Sequence, residues 1–136
     1  MNKVFFDLEW NTGFLDGNSF DEIIEIGAVK TDEEYRQIDG FRRLIRPVIY
    51  RKMNPYIQKI LAITMKDLQG EEPLAAVAKV FFDWCGDCDT LIAWSGNDFG
   101  VLEKYRRNGV GSKLMDIAER IASGYASMVY LGVGMH

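Results

Sequence analysis

The chain has 136 residues, 48% hydrophobic and 26% charged, with 16 basic and 20 acidic side chains and a net charge of −4. That is the length of one domain with one core and an ordinary composition for a soluble globular protein. No apolar run approaches the roughly 20 residues of a membrane span, Asp7 and Glu9 interrupt any signal-peptide core, and the acidic balance gives no general grip on nucleic acid, so a cytosolic protein without membrane contact is expected.

"KVFFDLE", 3–9, reads as a strand: Val4, Phe6 and Leu8 fall on one face, Phe5, Asp7 and Glu9 on the other. "NTGFLDGNSFD", 11–21, is rich in turn residues and reads as a loop. "EIIEIGAVKT", 22–31, reads as a buried strand in which Gly27 allows close packing. A third strand within 35–47 is stopped by Pro47, so the first three strands form an antiparallel meander. "NPYIQKILAIT" predicts a short helix with Pro55 in its first turn. "EEPLAAVAKVFFDWCG", 71–86, is the clearest helix. Leu74, Val77, Phe81 and Trp84 make one apolar stripe, and Gly86 ends it. "TLIAWS", 90–95, reads as a short buried strand, and "DFGVLEKYRRNG", 98–109, as a second helix. "KLMDIAERIA" fits strand or helix. There is no internal repeat or linker. The order β-β-β-α-β-α is an α/β pattern with an antiparallel beginning.

Asp7 and Glu9 are the first chemical signal. Alternate residues of a strand lie roughly 7 Å apart, so two carboxylates repel there, and a divalent cation would compensate them. A solvated strand face reads equally well from these residues alone. Asp98 shares a helix face with Val101, Leu102 and Tyr105, which suggests an inward carboxylate needing a partner. Ser95 and Asp98 also have the spacing of a capping box, and spacing does not decide between the two.

"WCGDC", 84–88, has a C-x-x-C spacing. It follows a helix and precedes a strand, the reverse of a redox motif at a helix N-terminus. Two Cys and one His fall short of a zinc site. His136, the single histidine and last residue, reads as incidental. Arg42, Arg43, Arg46, Arg51 and Lys52, near Tyr50, read first as a solvated strand face and second as phosphate contacts.

Taken in order, "FFDLEWN", "EIIEIGAV", "ITMKDLQG" before an amphipathic helix, and "WSGNDFGVLEKY" resemble the DEDD exonuclease superfamily of the ribonuclease T type. The Trp94 to Asp98 spacing is most similar to the branch containing KapD and the Eri-1 type RNA exonucleases. The resemblance implies one ribonuclease H-like α/β domain over residues 1–136, with a mixed sheet flanked by helices. It also implies metal-dependent 3′→5′ hydrolysis of nucleic acid ends to nucleoside monophosphates, with RNA favoured over DNA. Such enzymes hold two Mg²⁺ or Mn²⁺ ions between four carboxylates. Asp7 and Glu9 match the first motif and Asp98 the second. Trp10, Asn11 and Thr12 would line the terminal-nucleotide site.

The third motif, H-x4-D or Y-x3-D, is not found. After Asp98 the one aspartate is Asp116, with Gly111 five residues and Ser112 four residues before it. The motif and its C-terminal helix are therefore expected beyond His136. The fourth carboxylate and general base stay unassigned, and uncovered sheet surface predicts reduced stability or a compensating homodimer. The rival expectation is a non-catalytic nucleic-acid-binding or scaffolding module of the same fold.

Overall fold

The computed structural model describes residues 2–15 and 18–93. Its elements in chain order are β1 (Lys3–Leu15), β2 (Asn18–Thr31), β3 (Gln37–Leu44), α1 (Pro55–Leu61), α2 (Met65–Gln69), α3 (Leu74–Cys85) and β4 (Thr90–Ala93). They form one mixed sheet of order β3-β2-β1-β4. β1 pairs antiparallel with β2, β2 antiparallel with β3, and β4 joins parallel to β1 on its other edge. This is the expected meander followed by a helical crossover. Among the described residues no helix is long and apolar enough to cross a membrane.

Two elements differ from expectation. In the segment 11–21, the described residues 11–15 and 18–21 are strand rather than loop: Asn11 pairs with Glu22, Thr12 with Asp21 and Gly13 with Phe20. Side-chain bonds hold this polar stretch extended, including Thr12 Oγ1 donating to Asp21 Oδ1 at 2.8 Å. Gly13 makes room for Tyr50: a Cβ there would lie 2.6 Å from its ring, so the ring would have to move. The second difference is α2. Thr64 caps it through a reciprocal bond with Asp67, a capping box that starts a separate helix after Ala62 closes α1 in the left-handed region at φ 55°.

α3 covers one sheet face. Its buried residues Val77, Ala78, Phe81, Phe82 and Cys85 pack with Val4, Phe6 and Leu8 of β1, Ile23 and Ile26 of β2, and Leu91 and Ala93 of β4. Phe81 is the hub, with ring centroids of Phe6, Phe41 and Phe82 at 5.8, 5.4 and 5.2 Å. Each fully buried side chain of this size contributes about 1.5–3 kcal/mol, before entropy is counted. Trp84 fixes the helix end to the sheet. Its Nε1 donates to Asp39 Oδ2 at 3.0 Å, Lys30 stacks on its ring at 4.6 Å, and Lys30 Nζ also donates to its carbonyl. Gly86, at φ 60°, ends α3 as expected.

The opposite face carries Asp7 and Glu9. A smaller cluster occupies one end of it: Ile24, Met53, Ile63 and Leu68, with Leu44, Ile57, Leu61 and Met65 of β3, α1 and α2 packed on. Leu44 faces Glu25, which faces Glu9, so this cluster borders the carboxylates directly.

Candidate active site

A β-bulge builds the acidic face. Glu9 pairs with Glu25, but Trp10 pairs with Ile23, so Ile24 is the extra residue of β2. Ile23 joins the core under α3, while Ile24 joins the cluster on the carboxylate side. The bulge also puts Glu22 and Glu25, three residues apart, on the same face as Glu9 and Asn11. Three carboxylates, Asp7, Glu9 and Glu25, thereby neighbour one another on a rigid sheet.

Their electrostatics follow from that placement. Partial loss of hydration pushes the Asp7 carboxyl above its ordinary pKa, and the charge of Glu25 adds to this; a bond from the Leu8 N–H to Asp7 Oδ1, at 3.1 Å, opposes it. Glu9 is raised by loss of hydration first, then by Asp7 and by Glu25. Arg42 neutralises Glu25, its Nε 2.6 Å from Glu25 Oε1. Among the described residues no Lys or Arg pairs with Asp7 or Glu9.

The loop from 46 to 54 and α1 form the wall beside this face, and two buried side chains of the hairpin hold it. Glu22 accepts three backbone N–H bonds, from Val48 at 2.7 Å, Ile49 at 2.8 Å and Tyr50 at 3.0 Å. Asn11 is fully buried; its amide donates to the Lys52 carbonyl and accepts from the Asn54 N–H. Asn54 in turn donates to the Thr12 carbonyl and caps α1. Asn11 therefore supports the wall from inside, a different role from the expected contact with a nucleotide. Trp10 and Thr12 are half-buried, and Trp10 packs toward the core under α3.

The donor set fits a hard divalent cation in kind: crowded carboxylate oxygens, of which those of Asp7 and Glu9 have no basic partner among the described residues. It does not complete a site. Among the described residues no three His, Cys, Asp or Glu side chains converge to hold a metal. Asp98, Asp116 and His136 lie outside the described residues, as do the helix expected at 98–109 and the segment 113–122. Cys85 and Cys88 are buried, away from the acidic face, in the core under α3. Sequence reasoning missed Glu22, Glu25 and the selective position of Arg42. The signal was the "EIIE" string, whose two carboxylates share a face only because of the bulge.

The fold is similar to that of several solved nucleases. A full-length 3′-exonuclease superposes with a TM-score of 0.65 at 19% identity, over 79% of this chain and 52% of that one. The nuclease domain of 3′hExo, a DEDDh family member bound to rAMP, gives 0.61 at 16%, over 90% and 70%. E. coli Exonuclease I in complex with a dT13 oligonucleotide gives 0.57 at 17%, over 77% and 24%. At such identities the likeness is one of fold, the mixed ribonuclease H-like sheet with helices, and the chain spans about half the length of the full-length exonuclease. No curated protein sequence matches it. Residues 4–115 match the RNase T exonuclease family, and the chain belongs to that family.

Proposed function

We propose that this chain is the metal-binding part of a 3′→5′ exonuclease that removes nucleoside monophosphates from a nucleic acid 3′ end. The observation that carries the reading is the pair Asp7 and Glu9, half-hydrated on a rigid strand and without a basic partner among the described residues, in a chain of an exonuclease family. Two Mg²⁺ or Mn²⁺ ions would supply a water of lowered pKa and neutralise charge on the phosphate. Asp7 and Glu9 would hold such ions from β1. Asp98 is assigned as a further ligand. β4 ends at Ala93, beside Phe6, and the five residues from there to Asp98 span at most about 18 Å, within reach of Asp7.

Trp10 and Thr12, just past Glu9, are assigned to the rim of the terminal-nucleotide site, with Asn11 and Glu22 fixing the wall behind it. RNA is favoured over DNA by the likeness to the KapD and Eri-1 type branch. The relatives' rAMP and dT13 ligands fit either sugar. The test is degradation of single-stranded RNA and DNA, labelled at either end, in Mn²⁺. Stepwise loss from the 3′ end, abolished by Asp7→Asn and by Asp98→Ala, is expected. Binding without hydrolysis would instead favour the non-catalytic module, and hydrolysis that survives Asp7→Asn would overturn the reading.

A further inference from the structure

The alternation of β3 splits the basic run of the sequence. Arg42 pairs with Gly27, which pairs with Asp7, so these three residues form one cross-strand row on the carboxylate face. Arg43 pairs with Ile26, whose side chain is in the core under α3. One arginine of the run is thus aimed at the site side, two strands from Asp7, or about 10 Å between backbones.

Between them lies Gly27, and the described residues give no reason for a glycine there. Its φ is not in the left-handed region, and among the described residues a Cβ at Gly27 would meet nothing within 4 Å. A glycine inside a strand weakens it, so the open floor is kept at a cost in stability. Arg42 completes the arrangement. Glu25, 14% exposed, holds its Nε, while the arginine side chain is 69% exposed. Among the described residues the guanidinium has no other hydrogen-bond or ionic partner, which leaves its two terminal nitrogens to act as a fork. That geometry matches a phosphate, and Glu25 orients it.

The geometry points to a backbone subsite: the open floor over Gly27 admits a sugar of the nucleic acid strand, and Arg42, positioned by Glu25, takes a phosphate one nucleotide away from the bond hydrolysed at Asp7 and Glu9. This rests on the nuclease reading above and assigns its substrate path. A plain surface ion pair would explain Arg42 and Glu25 but not the floor that the described residues leave open between Arg42 and Asp7.

The test compares the intact chain with Arg42→Gln and Gly27→Val on two substrates in Mn²⁺: a single-stranded ten-nucleotide oligomer, and the p-nitrophenyl ester of thymidine 5′-monophosphate, which has no neighbouring phosphate. Each variant should lower the ratio of kcat/KM for oligomer over ester by about tenfold, since a charged hydrogen bond or a sugar's seat is lost. In Ca²⁺, fluorescence anisotropy should show the oligomer bound about tenfold more weakly, with the salt slope of Arg42→Gln reduced by about one. Gly27→Val should melt no lower than wild type, which separates a blocked path from a damaged fold. If hydrolysis is too slow to read, binding decides. Wild type that binds the oligomer while both variants bind equally well overturns the subsite alone. Wild type that neither binds nor cleaves overturns the nuclease reading and the subsite with it.

Discussion

Asp7→Asn should make the metal-free protein more stable. The substitution keeps the shape and an oxygen to accept the Leu8 N–H bond, and removes one charge from the acidic face. Alternate strand residues are about 7 Å apart, where two unit charges repel by about 0.6 kcal/mol in water and about 2.4 kcal/mol at an effective dielectric of 20. Asp7 is on the exposed side of its strand, so screening favours the lower part of that range, and relief of order 1 kcal/mol is expected. In a chain of this size that is a melting temperature about 3–5 °C higher in EDTA at pH 7.

The sign of the pH dependence follows from the direction of the shifts. Asp7 and Glu9 are raised in the folded state, so folding favours their protonated forms. Their contribution to stability is fully present below the ordinary carboxylate range near 4, and is lost as pH rises through the raised folded values. The advantage of Asp7→Asn should therefore shrink as the pH is lowered through that window. Asp32, Asp39 and Asp67 are held low, chiefly by backbone N–H bonds, and act oppositely at lower pH. The difference between wild type and variant removes them. Mn²⁺ at ten times its Kd should raise wild-type stability by about 1.4 kcal/mol and leave the variant nearly unmoved. A variant that melts lower than wild type in EDTA, or a gap that does not close in acid, would refute the reasoning.

Other expectations are local. Glu22→Gln offers an amide N–H₂ where a carboxylate oxygen accepts, so urea denaturation should show a loss of about 2 kcal/mol, with faster proteolysis near Val48 to Tyr50. Phe81→Ala empties the centre of the core and should cost about 3–5 kcal/mol, read by the same titration. Ala62→Gly relieves a left-handed alanine at the end of α1 and should gain about 0.5 kcal/mol; a loss would show that chain entropy outweighs the strain. Replacing Cys85 and Cys88 by Ala should lower stability without changing the metal dependence of hydrolysis, because both sit in the core away from the acidic face.

The parts of this fold legible in the sequence were those fixed by local period. Val4, Phe6 and Leu8 announce a strand with one buried face. Val77, Phe81 and Trp84 announce a helix that covers it, and both are found so. Residues 11–15 and 18–21 are strand where their turn-forming composition suggests a loop, because partners distant in sequence or on the paired strand hold them extended. Asn11 reaches Lys52 and Asn54, and Gly13 makes room for Tyr50. α2 was hidden for a different reason: at five residues it is too short to show a period, and its capping box alone marks it.

The bulge explains why the site was only half legible. In a regular strand, residues three apart point to opposite faces, so Glu22 and Glu25 read as one inward and one outward carboxylate. Inserting Ile24 shifts the alternation by one, and a single extra residue does three things. It sends Ile24 to pack beneath α1 and α2, which fixes the second face of the sheet. It aligns Glu22 with Asn11, so that both reach the same loop and hold the wall beside the carboxylates. It also leaves Glu25 facing Glu9, close enough to raise the pKa of Asp7 and Glu9 and to hold Arg42. Wall, charge and arginine thus share one origin in the register of β1 on β2. Deleting Ile24 would restore regular pairing with Glu22 still opposite Asn11 and Glu25 still opposite Glu9, but it would take Ile24 out of the cluster beneath α1 and α2. The two helices should then loosen from the sheet, even though every carboxylate named here would still be present on its face.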